Sequence, residues 1–257
     1  MQVTFLGTGT SHGVPVIGCR CRVCLSPDPR DKRWRPSVLL RADSGVQVLI
    51  DTSTDLRAQA LAFGVERVDA ILFTHSHADH VFGLDEVRRF NVLQRAPIPL
   101  FADRRTLHDL RRTFSYAFDA DTPAGGGLPQ LRPFEIGGAF CLDGLEIVPV
   151  PITHGGRPIL GFRIGRFAYL TDCNGIPESS LGLLAGLEAL VLGALRHRPH
   201  PTHFTVEEAL SMARRIGASQ TLFTHMCHDL GHADTCATLP AGVSLAYDGL
   251  TIEVQPA

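Results

Sequence analysis

The segment Thr74-His75-Ser76-His77-Ala78-Asp79-His80 is the densest group of potential metal ligands in the sequence. It places three histidines and an aspartate within six residues, directly after the apolar run 68–73 (VDAILF). That run is short and partly β-branched, which is typical of a buried strand. The group therefore follows a strand end, where α/β proteins commonly carry functional side chains. Imidazole is the commonest protein ligand for transition metals, and a nearby carboxylate adds charge, so the segment predicts a metal site.

The spacing within this segment indicates that it can serve two adjacent ions. In an extended segment His75 and His77 point to the same side, because side chains alternate along a strand. Asp79 and His80 lie beyond a turn and approach from another direction. The alternative is a chance run of polar loop residues. We favour the metal site, because the spacing H-x-H-x-D-H after a buried strand is specific.

A predicted strand, a threonine and then a histidine or aspartate recur along the chain. This order is found at Thr74-His75, Thr153-His154, Thr171-Asp172 and Thr224-His225. Taken singly, His154 or His225 is more typical of a hydrogen-bonded structural histidine. Neighbouring strand ends share one rim of a sheet, so four such ends predict that these side chains converge.

The remaining patterns predict one domain, residues 1–257, in which strands and helices alternate. Strands are predicted at 3–6, 37–42, 46–50, 68–73, 98–101, 145–150, 167–170, 191–192 and 220–223, and helices at 56–63, 84–90, 106–114 and 206–216. Asp51 follows the strand 46–50, and two interpretations stay open: it holds a ligand histidine by its other ring nitrogen, or it is a turn aspartate before a helix. The Gly/Pro-rich stretch 119–133 is expected to be a surface loop, either a plain excursion or a flap over the site.

Cys19, Cys21 and Cys24 form a C-x-C-x-x-C knuckle in a loop near residues 18–30. Three thiols this close can converge on one tetrahedral zinc ion, with a fourth ligand from elsewhere in the chain. A redox pair or free thiols are the alternatives. The C-x-x-C of redox proteins opens a helix, whereas this one lies among glycine and prolines, which favours zinc.

Composition places few limits on function. The formal net charge of −2 gives no general bias toward nucleic acid or acidic membranes, and we interpret the arginine-rich segment 30–35 as solvated surface. No apolar run approaches the ~20 residues of a membrane span, and the start MQVTFLG lacks the pattern of a signal peptide. Seven cysteines in a chain of 257 residues fit metal-bound thiolates better than disulfides. We therefore expect a cytoplasmic protein without a membrane partner.

Together these residues resemble the metallo-β-lactamase superfamily, whose pattern is H-x-H-x-D-H followed by a later His, Asp and His. Within it the chain is similar to the PhnP-type phosphodiesterases, which act on phosphoribosyl 1,2-cyclic phosphate. That likeness rests on Gly7-Thr8-Gly9 after the first strand, on the cysteine knuckle, and on Thr224-His225 followed by His228. It covers almost the whole chain and implies a four-layer αββα sandwich of the α/β class with a dinuclear site at one edge of its sheets.

The resemblance also implies roles for individual residues. One divalent ion, zinc or manganese, would be held by His75, His77 and His154, and the other by Asp79, His80 and His225, with Asp172 as the bridge. A structural zinc would be held by Cys19, Cys21, Cys24 and His228. Asp79 and His203 would be catalytic, with His203 beside the scissile phosphate and His197 and His200 as rivals for its role.

The reaction that the resemblance implies is hydrolysis of a small phosphodiester, such as 5-phosphoribosyl 1,2-cyclic phosphate. A hydroxide bridging two metal ions would attack phosphorus, and a protonated His203 would donate to the leaving oxygen. One alternative is an RNA 3′-end processing nuclease of the same fold, which needs an extended basic arm that this sequence lacks. A β-lactamase or thioester hydrolase and a non-catalytic zinc module are further alternatives. The sequence leaves a homodimer open.

Overall fold

Two β-sheets organise residues 1–123 and 127–255, the part of the chain that the computed structural model describes. Within these ranges the strands are β1 Gln2–Gly7, β2 Ser37–Arg41, β3 Gln47–Ile50, β4 Ala70–Leu72, β5 Ile98–Ala102, β6 Leu131–Glu135, β7 Phe140–Leu142, β8 Leu145–His154, β9 Arg157–Ile164, β10 Phe167–Leu170, β11 Ala189–Gly193, β12 Gln220–Thr224, β13 Val243–Leu245 and β14 Thr251–Glu253. One sheet has the order β14-β1-β2-β3-β4-β5-β6, and the other has the order β13-β12-β11-β10-β9-β8-β7.

Each sheet contains a run of four parallel strands, and this arrangement brings functional side chains to one edge. Strands β3 to β6 are parallel in the first sheet, and β10 to β13 are parallel in the second. Strands β4, β10 and β11 consist entirely of buried residues, as expected for parallel strands covered on both faces. The carboxyl ends of parallel strands lie at the same rim, so the residues after β3, β4, β10 and β12 come close together.

Helices follow these strands and cover the sheets. They are α1 Leu56–Phe63, α2 Ala78–Val81, α3 Arg88–Gln94, α4 Arg104–Thr113, α5 Ser115–Phe118, α6 Glu178–Leu181, α7 Val206–Ile216 and α8 His232–Thr238, with short 3-10 turns at Pro29–Asp31, Leu84–Val87 and Gly182–Leu184. A capping box begins α7: Thr205 Oγ1 accepts from the Glu208 amide at 3.1 Å, and Glu208 Oε2 accepts from the Thr205 amide at 2.8 Å. The helix ends at Gly217, whose φ of 72° suits glycine.

Three apolar clusters fill the spaces between four layers. The inner cluster joins the facing sides of the two sheets and includes Phe5, Phe162 and Tyr169. A second cluster packs the outer face of the first sheet against helices α1 to α4, and a third packs the outer face of the second sheet against α7. The layers run helix, sheet, sheet, helix, which confirms the αββα sandwich.

The structure departs from the sequence predictions mainly at sheet edges. Strands β6, β7, β9, β13 and β14 were not predicted. The stretch 119–133 is not entirely loop, because β6 begins at Leu131, and Pro133 is compatible with β6 since that strand lies at the edge of its sheet. Residues 124–126 lie outside the described residues, and so does the part of the flap interpretation that rests on them.

In the described ranges, no helix has both the length and the apolarity needed to cross a bilayer.

Candidate metal centre

Seven candidate ligands meet at the shared rim of the two sheets. They form one group of His75, His77 and His154 and another of Asp79, His80, Asp172 and His225, and the possible ligand atoms within each group lie within 4.8 Å of one another. Asp172 lies between the groups: its Oδ2 is 3.9 Å from His75 Nε2 and 3.1 Å from His225 Nε2. The structure thus brings together every residue that the sequence predicted for the metal pair.

The backbone adopts the left-handed conformation where three of the strands deliver their side chains. Asp51, Asp172 and His225 have φ values of 61°, 60° and 58°. Positive φ is uncommon for residues other than glycine, and such conformations are concentrated at functional sites. Each of these residues follows the last residue of a parallel strand or lies two residues beyond it, so all three lie at the rim.

A buried hydrogen-bond chain fixes two of the candidate ligand rings. His80 Nδ1 donates to Asp51 Oδ2 at 2.7 Å, and the Thr74 hydroxyl donates to the same oxygen at 2.8 Å. The Thr74 oxygen in turn accepts from His75 Nδ1 at 3.0 Å. Asp51 therefore holds a ligand histidine by its second ring nitrogen, one of the two interpretations that the sequence left open, and the bond directs the other ring nitrogen toward the site.

The unoccupied hydrogen-bonding capacity of these rings fits a cation. His75 Nε2 and His80 Nε2 are buried and have no hydrogen-bond partner among the described residues. A buried polar atom without a partner is costly, and a metal ion bound at each ligand group would satisfy the nitrogen of that group. His80 Nε2 also lies 3.2 Å from Asp172 Oδ1 and 3.4 Å from Asp79 Oδ2. The Nε2 atoms of His80 and His225 and the carboxylates of Asp79 and Asp172 thus point at one small volume, which is a donor set that divalent transition metals accept.

The electrostatics of the cluster favour positive charge at its centre. Burial acts to lower the pKa of His80, but the carboxylates of Asp172, Asp79 and Asp51 outweigh it, and the pKa is raised well above its ordinary value. Burial acts to raise the pKa of Asp79 and of Asp172, and the neighbouring imidazoles of His80 and His225 outweigh it in both cases. Both carboxylates are therefore ionised, as metal ligands must be.

In the first ligand group, which consists of His75, His77 and His154, two histidines have lowered rather than raised pKa values. Burial lowers the pKa of His75 well below its ordinary value, and burial followed by the neighbouring His154 lowers the pKa of His77. His154 Nδ1 donates to the carbonyl oxygen of Thr202 at 2.9 Å, which leaves Nε2 for a ligand. His77 is exposed, so this group opens to solvent. With lowered pKa values, His75 and His77 are neutral donors ready to coordinate.

His203 lies against both ligand groups. Its ring centroid is 4.8 Å from that of His154 and 4.8 Å from that of His225. Burial, aided by the nearby His225, lowers the pKa of His203 to about 3, so the ring is neutral at neutral pH, whereas the sequence hypothesis had it protonated. A phosphate anion beside the ring would favour the protonated form. Of its rivals, His197 is exposed and bound to Glu207 at 2.8 Å, and His200 lies next to His203 at a centroid distance of 5.0 Å.

The cysteine knuckle forms a second centre with His228. The sulfurs of Cys19, Cys21 and Cys24 lie 3.2, 3.5 and 3.5 Å from His228 Nδ1. Tetrahedral zinc with its usual bond lengths would separate sulfur and nitrogen ligands by about 3.5 Å. Hydrogen bonding from the Cys24 amide is the main cause that lowers the pKa of Cys21 to about 6, which favours the thiolate. The geometry fits the zinc site that the sequence predicted.

A buried arginine joins this centre to the rim. Arg33 Nη1 donates to the Cys227 carbonyl oxygen at 3.0 Å, and Nη2 donates to the Leu230 carbonyl oxygen at 2.6 Å. These carbonyls flank His228, and His225 begins the same loop. Asp31 Oδ1 balances the guanidinium at 3.2 Å. The arginine-rich segment was interpreted as solvated surface, which is wrong for Arg33, because its side chain is fully buried. Sequence alone did not show the carbonyl oxygens that this guanidinium would meet.

Sequence reasoning also missed Arg157 beside the first ligand group. Gly155 and Gly156 form the two-residue turn between β8 and β9, both with positive φ, and Arg157 pairs directly with His154. A Gly-Gly pair between two strands is a strong signal for such a hairpin, so this placement could have been predicted.

Comparison with known proteins identifies what this arrangement resembles. The family described as the Beta-lactamase superfamily domain matches residues 47–226. A solved structure described as a new diphosphatase from the PhnP family superposes with a TM-score of 0.92 and 45% sequence identity, over 99% of this chain and 98% of that chain.

Two curated relatives carry other names. An octanoyltransferase of Porphyromonas gingivalis is 38% identical over 97% of this chain, which spans about half of that protein's length (51%). A ribonuclease Z of Mycolicibacterium paratuberculosis is 31% identical, over 88% of this chain and 85% of that protein.

Proposed function

This chain belongs to the Beta-lactamase superfamily and is a hydrolase of the metallo-β-lactamase fold, and we propose that it hydrolyses small phosphodiesters with the help of two divalent metal ions. The observation that carries this proposal is the position of Asp172 and His203. Asp172 lies between the two ligand groups, and His203 packs against a ligand ring of each. A site for two cations suits in-line displacement at phosphorus, because negative charge on both the attacking and the leaving oxygen must be neutralised. The similar PhnP-family structure is that of a diphosphatase, which supports phosphorus as the centre attacked.

The residues at the rim divide the work. His75, His77 and His154 would hold one zinc or manganese ion, Asp79, His80 and His225 would hold the other, and Asp172 would bridge them. When bound, such ions act as Lewis acids and activate water. Asp51 and Thr74 keep the rings of His80 and His75 in the tautomer that presents Nε2. His203 would hold a phosphoryl oxygen or give a proton to the leaving oxygen.

The substrate that the PhnP likeness favours is a cyclic ribose phosphodiester such as 5-phosphoribosyl 1,2-cyclic phosphate. Cys19, Cys21, Cys24 and His228 would hold a structural zinc ion outside the reaction. The binding partner that we propose for this chain is its small phosphodiester substrate.

Cleavage of precursor transfer RNA is the second candidate, because ribonuclease Z proteins match most of this chain. The formal net charge of −2 and the absence of a Lys/Arg-rich arm in the sequence argue against it, since a polyanion is gripped by clustered basic residues.

The test is a substrate panel on metal-loaded enzyme with the metal content measured. We expect turnover of bis(p-nitrophenyl) phosphate and of 5-phosphoribosyl 1,2-cyclic phosphate, and none of precursor transfer RNA. Preference for the RNA would replace the proposal with the nuclease. Hydrolysis of a lactam or thioester but of no phosphodiester would overturn both.

A further inference from the structure

The loop 225–230 carries one candidate ligand of each metal centre. His225 follows the end of β12 and belongs to a ligand group at the rim, whereas His228 faces the three sulfurs of the knuckle. Met226 and Leu230 are fully buried in the apolar cluster that packs the second sheet against α7. The two centres therefore share one short segment of backbone.

Main-chain hydrogen bonds fix the beginning of this loop. The Met226 amide donates to the Thr8 carbonyl oxygen at 3.0 Å, and the Met226 carbonyl oxygen accepts from the Thr10 amide at 3.1 Å. The Cys227 amide donates to the Leu195 carbonyl oxygen at 3.0 Å. These three bonds lie at the end of the loop that carries the rim ligand.

Arg33 holds the other half of the loop with its side chain. Its guanidinium donates to the carbonyl oxygens of Cys227 and Leu230, at 3.0 and 2.6 Å, and so spans His228. The guanidinium and Leu230 are both fully buried, so this carbonyl oxygen would lose its donor in a place that excludes water, which is costly. Asp31 Oδ1 balances the positive charge at 3.2 Å. The guanidinium thus fixes the backbone on both sides of the knuckle imidazole.

The main chain of Arg33 is attached to the knuckle itself. Its amide donates to the Val14 carbonyl oxygen at 2.7 Å, and its carbonyl oxygen accepts from the Val14 amide at 2.8 Å. Val14 packs with Val23 and Cys24 in a small apolar cluster. The Val16 amide donates to Cys24 Sγ at 3.3 Å. Arg33 therefore contacts the knuckle through its backbone and the ligand loop through its side chain.

We propose that Arg33 couples the two centres, so that a metal ion in the knuckle strengthens metal binding by the ligand group that contains His225. Arg33 is a positioning residue in this arrangement: the ion fixes His228 against the knuckle sulfurs, and the guanidinium holds the backbone that leads back to His225. Hydrogen-bond networks and rigid segments carry coupling of this kind. The inference rests on the proposed function for the ions at the rim but not for the reaction.

Cobalt(II) alone is the probe, because it replaces zinc in both kinds of site and its spectrum distinguishes them. Cobalt bound by thiolates has a sulfur-to-metal charge-transfer band, which nitrogen and oxygen ligands do not produce. Competition with a chelator of known affinity, followed in this band and in the visible bands, gives the affinities of the knuckle and of the rim separately.

A double-mutant cycle on Cys21→Ser and Arg33→Met measures the coupling. Coupled sites typically change each other's affinity by ~5- to 150-fold, and we expect each single variant to weaken cobalt binding at the rim by about 10-fold. The double variant should bind no more weakly than the single variants, because both changes interrupt the same connection. Losses that multiply in the double variant would overturn the inference, and so would wild-type rim affinity in Cys21→Ser.

Two further variants serve as controls. Arg35→Met changes an arginine two residues further along the same segment, which pairs with Asp55 at 2.9 Å, and it should leave both affinities unchanged. Arg33→Lys keeps a positive charge opposite Asp31 but has fewer donors in a fixed geometry, so it should recover part of the rim affinity. Because Arg33→Met leaves a buried carboxylate unpaired, Arg33→Lys takes its place in the cycle if that variant does not fold, with a smaller expected loss.

This measurement is separate from catalysis, because binding is followed without substrate. If the coupling holds while no phosphodiester is hydrolysed, the proposed function is wrong and the role of Arg33 stands. Hydrolysis of phosphodiesters by a protein whose two centres bind cobalt independently would refute the coupling and leave the proposed function intact.

Discussion

His203 stacks against His225, with ring centroids 4.8 Å apart and 18° between the ring planes. The ring of His154 lies at the same centroid distance from His203, with 57° between the ring planes. His225 belongs to one candidate ligand group and His154 to the other. A single side chain that is not among the seven predicted ligands therefore contacts both halves of the site, which makes it the most informative residue to change.

Replacing His203 by alanine should reduce turnover without emptying the site. Loss of general-acid help typically costs ~10²–10⁴-fold in rate, and we expect a fall of this size in kcat for bis(p-nitrophenyl) phosphate. Metal content, measured by plasma mass spectrometry, should equal that of wild type.

Two other histidines serve as controls for this prediction. His197→Ala removes an exposed ring that is bound to Glu207 and should keep full activity. His77→Ala removes a predicted ligand and should lower the metal content itself. Wild-type turnover in His203→Ala would show that the stacked ring has no part in the reaction.

Replacing Asp51 by asparagine should weaken metal binding although Asp51 is not itself a predicted ligand. The variant loses the charge that orients His80, and the loss of such a partner typically lowers metal affinity by ~10–100-fold. Asparagine tolerates the positive φ at this position, so the backbone should persist. The measurement is competition with a chelator of known affinity. Asp69→Asn, which changes an aspartate paired with Arg67, is the matched control. Equal affinities in Asp51→Asn and wild type would contradict the role assigned to this carboxylate.

Replacing Cys21 by serine should remove one zinc ion per chain and lower the melting temperature. At this chain length each kcal/mol lost shifts the melting temperature by about 2–4 °C. Zinc content and thermal unfolding check the prediction. The control is Cys141→Ser, which changes an exposed cysteine on β7. A variant that loses zinc with an unchanged melting temperature would mean that the knuckle does not stabilise the fold.

Asp248 should make the free energy of unfolding depend on pH, independently of the metal site. Burial raises its pKa from an ordinary 3.8 to about 7, although the Thr8 hydroxyl and the Trp34 amide both donate to it, at 2.7 and 2.6 Å. A raised pKa means that the folded protein retains a proton that the unfolded chain releases. Stability from this group is therefore complete below about pH 4 and is lost as the pH rises to about 7.

Asp248→Asn isolates this effect, because the amide copies the protonated acid: it can donate to Thr8 and accept from Trp34. We expect the unfolding free energy of wild type to fall relative to the variant between about pH 4 and pH 7. A single carboxyl group releases at most one proton, so the slope should not exceed ~1.4 kcal/mol per pH unit. Denaturant titrations at several pH values provide the measurement, and parallel curves for the two proteins would refute the assignment.

Much of the fold and the whole predicted ligand set can be recognised from sequence, because both depend on short-range patterns. Buried parallel strands appear as apolar runs, and three of them lead to a threonine followed by a ligand type, at Thr74-His75, Thr171-Asp172 and Thr224-His225. The helix α7 is recognisable from its capping box and its final glycine.

The features that sequence did not reveal depend on partners far apart in the chain. Strands such as β7 and β14 are three residues long, lie at sheet edges, and have no periodicity that distinguishes them from loops. In the sequence, Arg33 cannot be distinguished from the other charges of a basic segment. Its role depends on the carbonyl oxygens of residues 227 and 230, to which it donates in the folded protein. The choice among His197, His200 and His203 likewise depends on which ring reaches the ligands.

The cysteine knuckle has a consequence for how the protein matures. Its three sulfurs come from residues 19–24, and the imidazole comes from His228, more than two hundred positions later. A zinc ion bound there would act as a cross-link that closes a very long loop, and clips of that kind restrict an unfolded chain most. During synthesis the three cysteines leave the ribosome early. Their fourth ligand is absent until residue 228 has been translated. The ion can therefore stabilise the fold only late in synthesis, after the strands that carry the rim residues have been translated.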